Sequence, residues 1–173
     1  EKVFSDEDAV FSEQLDYDAG DLDPCVACPH TVDHVKAVSE VTGVRIHQAL
    51  IGTCTNGRIE DLEAAASLLK GRKIAKGTRL LVFPASMEIY KQAMLNGLLE
   101  TFIDAGGVIM NPGCGPCLGA HEGTLAPGEV CLSTANRNFK GRMGCKEADV
   151  YLGSPYTVAA SAVAGEIVDP REF

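Results

Sequence analysis

The chain has 173 residues, 46% hydrophobic and 23% charged, enough for one domain with a real core. A formal charge of −9 argues against a general nucleic-acid binder, and no apolar run approaches the roughly 18 residues of a membrane helix. No signal peptide follows the opening Glu1-Lys2-Val3. A cytoplasmic location is therefore expected, and the lack of an initiator Met suggests a piece of a longer protein. The seven cysteines are odd in number and unevenly clustered. In a reducing compartment that pattern suits metal ligands and buried thiols better than a disulfide framework.

Residues 1–30 read as a lead-in from a preceding domain, and residues 31–173 as an α/β domain. The first 24 residues are acidic and weakly periodic, Gln14 to Ala19 could form a short strand, and the alternative to a lead-in is a partly disordered tail. Cys25-Val26-Ala27-Cys28-Pro29-His30, with His34 behind it, could bind zinc. The favoured reading is a loop with one or two buried thiols, because zinc modules usually place a second ligand pair within about 20 residues.

Arg45 to Thr53 reads as a strand leading into Gly52-Thr53-Cys54-Thr55-Asn56-Gly57-Arg58. Apolar residues at Ile59, Leu62, Ala66 and Leu69 then recur at helical spacing, with Asn56 or Gly57 as the expected cap. Arg79 to Pro84 is a second strand. Ser86 is expected to cap one long helix from Met87 to about Ala105, stopped by Gly106-Gly107. Val108 to Met110 runs as a third strand into Asn111-Pro112-Gly113-Cys114-Gly115-Pro116-Cys117. Val130 to Leu132 and Ala148 to Leu152 are two more strands, and Tyr156 to Ala164 a small-residue helix.

This alternation predicts a mostly parallel sheet flanked by helices on both faces. Sites in such sheets form at the carboxyl ends of the strands. The Cys54 loop, the Cys114/Cys117 loop and Asn136 to Arg142 each follow a strand, so all three fall on one edge. Three thiolates would leave one iron of a four-iron cluster without a protein ligand, free to polarise a C–O bond. Neighbouring arginines would hold carboxylates by paired hydrogen bonds. Elimination and re-addition of water is the reaction class implied. A zinc-stabilised binding module using Cys54, Cys114, Cys117 and His121 is the competing metal reading, and three buried cysteines in Gly-rich turns the bland one. Cys131 and Cys145 read as packing thiols, and Ser133 and Thr134 as strand-end hydrogen bonders.

The segments 52–56, 111–117 and 133–142 (Ser-Thr-Ala-Asn-Arg-Asn-Phe-Lys-Gly-Arg) resemble the signatures of the aconitase superfamily. The likeness is strongest to the carboxyl-terminal domain of 3-isopropylmalate dehydratase large subunits of the archaeal, homoaconitase-like type. The resemblance implies that Cys54, Cys114 and Cys117 ligate a [4Fe–4S] cluster, and that Asn136 lies beside cluster and substrate. It also implies that Arg137 and Arg142 contact the carboxylates of a hydroxy di- or tricarboxylate. Cys25 and Cys28 match no ligand position. The implied activity is isomerisation of 2-isopropylmalate to 3-isopropylmalate in leucine biosynthesis, with homoaconitase, aconitase and dimethylmalate dehydratase as alternatives. The implied partners are a small subunit and further amino-terminal domains of the large subunit. The chain alone is expected to be inactive and to lose its cluster readily. Neither membrane nor nucleic acid is expected as a partner.

Overall fold

The computed structural model describes residues 2–173. Seven strands form one sheet in the order β2-β1-β7-β6-β3-β4-β5. They are β1 (Cys25–Ala27), β2 (Val35–Ala37), β3 (Gln48–Gly52), β4 (Arg79–Phe83), β5 (Val108–Ile109), β6 (Val130–Ser133) and β7 (Asp149–Leu152). The five strands from β7 to β5 pair in parallel, while β1 is antiparallel to both β2 and β7. The expected α/β architecture is therefore what forms. From β3 the chain moves outward to β4 and β5, then returns to add β6 and β7 on the other side. The reversal opens a crevice between the loops leaving β3 and β6, the place where such sheets carry their sites.

Alternate residues of the central strands enter two cores. Ala49, Ile51, Leu80, Val82 and Leu132 pack under the helices, whereas Leu50, Leu81, Phe83, Cys131 and Val150 face the other way. The first core is roofed by α2 (Ile59–Leu69), α3 (Met87–Leu95), α4 (Leu98–Ala105) and α5 (Pro155–Ala164). In α5, Ser154 caps by accepting from Thr157 N at 3.1 Å, and buried Ala159, Ala160 and Ala162 allow close approach to α2 and β3. Helical weight is unequal between the faces. The second core is covered by the connections from β5 to β6 and from β6 to β7, which contribute Cys117, Leu125, Ala135 and Met143. The 3-10 turn Gly115–Leu118 lies in the first of them.

Several local expectations are corrected. The segment from Met87 to Ala105 is two helices, because Gly97 at φ +73° takes a left-handed conformation between them. Ser86 does cap the first, accepting from Ile89 N at 3.2 Å. Helix α2 is preceded by Arg58, whose N–H donates to Asp61 Oδ2 at 3.1 Å; neither Asn56 nor Gly57 caps it. Gln14 to Ala19 forms no strand, and residues 2–23 are exposed. Cys25 to Ala27 is a strand instead of a loop, and Cys28 is buried as expected of one of that pair.

At the amino-terminal rim, Arg79 Nη1 and Nη2 donate to Glu129 Oε1 and Oε2 at 2.7 and 2.8 Å. Arg79 Nε also donates to Gln48 Oε1 at 3.1 Å, so one guanidinium joins β4, β3 and the start of β6. Hydrogen bonding from Arg79 holds the Glu129 carboxyl at about 2 against its ordinary 4.5. A lowered carboxylate pKa gives stability present above 4.5 and lost as pH falls toward 2. Because Arg79 is half exposed, Glu129→Gln is expected to cost only about 1 kcal/mol at neutral pH. Urea melts should show that difference shrinking as pH drops from 4.5 to 2; a difference constant across that range would contradict the assignment.

Candidate metal centre

β3 ends in an abrupt turn. Gly52 has φ +109° and buried Thr53 has φ +68°, and the chain then enters the single turn α1 (Thr53–Asn56), which presents Cys54 to solvent. A Cβ at Gly52 would lie 2.0 Å from Phe83 O, so only glycine lets β3 leave the sheet this close to β4. The turn is also tied to β6. Gly52 N donates to Thr134 Oγ1 at 2.8 Å, and Asn56 Nδ2 donates to Thr134 O. Asn56 thus braces the Cys54 loop. Thr134 is a strand-end hydrogen bonder, as its position implied.

The second thiol loop leaves β5 and closes on itself, Cys117 N donating to Cys114 O at 3.0 Å. Gly115, at φ +51°, rests on the Phe83 ring, and a Cβ there would meet the ring at 2.4 Å. Phe83 is therefore the shared post: its carbonyl abuts the turn into Cys54 and its ring abuts the turn between Cys114 and Cys117. Sequence reasoning saw Phe83 only as strand bulk. Cys114 is exposed and lines a cavity of about 400 Å³ with Phe83, Asn111, Gly115, His121 and Glu122. Cys54 and Cys117 are not among its walls.

The third loop reaches the second thiol. Arg142 Nη2 donates to Cys117 Sγ at 3.5 Å, and its guanidinium lies 5.3 Å from the centre of the Phe139 ring. Arg137 and Asn136 are exposed, with Arg137 Nη1 donating to Asn136 O at 2.6 Å. Arg137 lines a separate small cavity of about 140 Å³ with His30 and Thr31. The structure thus joins Cys117 to Arg142, and joins the Cys54 and Cys114 loops through Phe83. It does not bring Arg137 to a thiol.

Among the described residues, no three His, Cys, Asp or Glu side chains stand close enough to hold one metal ion. Cys54, Cys114, Cys117 and His121 are thus not gathered into a tetrahedral zinc set, and His121 instead faces Glu122 at 3.9 Å. A four-iron cube is much wider than one ion and needs more widely spaced thiols. The donor chemistry fits such a group, since thiolates are its usual ligands. Unpaired polar atoms add to the fit. Buried Thr53 Oγ1 and Thr55 Oγ1, on either side of Cys54, and Nε of Arg142, whose Nη2 reaches Cys117, have no protein partner. Buried polar atoms rarely remain unpaired, and unpaired ones beside the thiols suit a polar group bound there.

The other cysteines are built differently. Burial pushes the Cys131 thiol up to about 12, and burial also raises Cys28. Cys145 is raised by its hydrogen bond to Glu147, 2.9 Å from Sγ to Oε2. Protonated thiols are poor metal ligands. Cys25 Sγ donates to Asp23 O at 3.2 Å.

A parallel α/β domain with three thiols and two arginines in loops at its carboxyl rim defines a thiol-bearing α/β domain suited to an iron–sulfur group. The chain belongs to the aconitase family (aconitate hydratase), whose profile matches residues 36–165. It is 56% identical over 172 residues to the 3-isopropylmalate dehydratase large subunit 2 of Archaeoglobus fulgidus, covering 99% of this chain and 41% of the relative. It is 58% identical over 173 residues to the probable methanogen homoaconitase large subunit of Methanosarcina mazei, covering 100% and 44%. To the homoaconitase large subunit of Thermus thermophilus it is 53% identical over 171 residues, covering 99% and 41%. The chain spans about two fifths of the length of these curated relatives.

Proposed function

We propose that this chain is the cluster-binding domain of a hydro-lyase large subunit that interconverts 2-isopropylmalate and 3-isopropylmalate in leucine biosynthesis. The observation that carries the reading is the packing of both thiol loops on Phe83, with Arg142 donating to Cys117. Cys54, Cys114 and Cys117 would hold a [4Fe–4S] cluster. When bound, a cluster with three thiolate ligands supplies a Lewis-acidic iron for a substrate hydroxyl. Arg142, half-buried and backed by Phe139, presents a fixed cation for one carboxylate of a hydroxy di- or tricarboxylate. Arg137, exposed beside Asn136, would take another by turning from Asn136 O. Gly52, Gly115 and Phe83 fix the two thiol-bearing turns, so the proposed cluster ligands are held on a preorganised frame.

The proposed partners are a small subunit, since relatives are named as large subunits, and the parts of a large subunit beyond the matched two fifths. No helix among the described residues is long and apolar enough to cross a membrane, and we place the chain in the cytoplasm. Homoaconitase is the second reading, favoured by the 58% identity to the methanogen relative. The test joins a complete large subunit, reconstituted anaerobically, to its small subunit and offers 2-isopropylmalate, homocitrate and citrate. Highest kcat/KM with 2-isopropylmalate and no turnover by this chain alone are expected. Preference for homocitrate would select the second reading, and turnover by the chain alone would overturn the proposed division of labour.

A further inference from the structure

The Cys25-x-x-Cys28 segment supplies none of the proposed ligands, yet it is built against the arginine loop. β1 and β2 form a small hairpin whose turn is braced from within: Cys28 N donates to His34 O at 2.8 Å, and His34 N to Thr31 O at 3.3 Å. Its turn directs main-chain carbonyls toward one side chain. Asn138 Nδ2 lies 2.8 Å from Cys28 O, 3.3 Å from Thr31 O and 3.5 Å from Ala27 O. Asn138 is 1% exposed. Three acceptors around one nitrogen fix the orientation of the amide, since a flip would set Oδ1 against three carbonyl oxygens. On the chain, Arg137 precedes Asn138, and Phe139, which stacks under Arg142, follows it. β1 in turn pairs Ala27 with Leu152 of β7, so the hairpin is anchored to the sheet.

We infer that Asn138 is a positioning residue: seated among the carbonyls of residues 27–31, it holds Arg137 and Arg142 where they meet substrate carboxylates. The inference rests on the proposed function for what the arginines do. The carbonyls of the Cys-x-x-Cys segment, and not its sulfurs, are then its contribution to the site.

The test uses the complete large subunit with its small subunit and loaded cluster. Asn138→Asp keeps the shape and removes both N–H donors. KM for the hydroxy acid is expected to rise at least about tenfold, with kcat within about threefold and the visible absorbance per chain unchanged. The new carboxyl regains one O–H donor when protonated, so the ratio of variant to wild-type KM should fall as pH is lowered. A purely structural defect would instead lower the folded, loaded fraction, and with it kcat and the absorbance per chain. Asn138→Ser, which keeps a shorter donor, serves if the first variant does not fold, and a smaller rise in KM is expected. Unchanged KM in whichever variant folds, a loss confined to kcat, or loss of the cluster would overturn the inference. Should the unsubstituted complex turn over none of the acids offered, the proposed function fails by itself. The clamp is then read in this chain, where amide exchange of residues 136–142 should quicken at least about tenfold in either variant; unchanged exchange would overturn it.

Discussion

Replacing Gly52 by alanine is expected to destabilise the chain by roughly 3–5 kcal/mol, through a left-handed backbone that disfavours a side chain and a forced repacking against β4. The added Cβ would sit 2.0 Å from Phe83 O and 2.8 Å from Phe83 C. Backbone cannot swing aside as a side chain can, so β3 and β4 must separate at their carboxyl ends. Gly52 N would then leave Thr134 Oγ1, and Asn56 would lose Thr134 O. The unfolding free energy from urea melts should fall by a large part of the native margin of about 5–15 kcal/mol, with the midpoint moving down in proportion. Alanine at Gly43, also at positive φ but with nothing within 4 Å of its Cβ, is the control and should cost only the smaller conformational term. Equal effects at the two positions would contradict the close approach at Phe83.

The second large effect is on the cofactor. Cys54→Ser, Cys114→Ser and Cys117→Ser should each remove most of the broad visible band formed on anaerobic reconstitution, because a hydroxyl is a poor replacement for a soft thiolate. Cys25→Ser should leave the band intact, since that thiol is engaged with Asp23 O on the hairpin. Cys117 is also part of the second core, so its variant needs a circular dichroism check that the chain is folded. Equal loss from Cys25→Ser would show that the ligand set is wrong.

Much of the sheet is legible in the sequence because its cause is local. β3 and β4 carry apolar runs at residues 49–51 and 80–83, and α2 begins at Ile59 and ends at Leu69 as its periodicity requires. The misread parts depend on partners far away in sequence. β1 has three residues and no alternation to announce it; it is a strand because Val35–Ala37 and Leu152 pair with it. Gln14 to Ala19 lacks such pairing and forms no strand. Asn56 has the chemistry of a cap, but Thr134 claims its amide across 78 residues. Gly97 sits within a pattern that continues on both sides, and only its φ of +73° separates α3 from α4. In the site, thiols and arginines were readable as residue types following strands. Phe83 as the common post and Asn138 among three carbonyls were not, because neither contact is encoded by spacing.

Iron and acid-labile sulfide measured per chain after anaerobic reconstitution test the central claim most directly. About four of each are predicted for a cluster of this type, falling sharply when any of Cys54, Cys114 or Cys117 is replaced by serine. Zinc bound in place of iron and sulfide, or an iron content indifferent to those three substitutions, would contradict it.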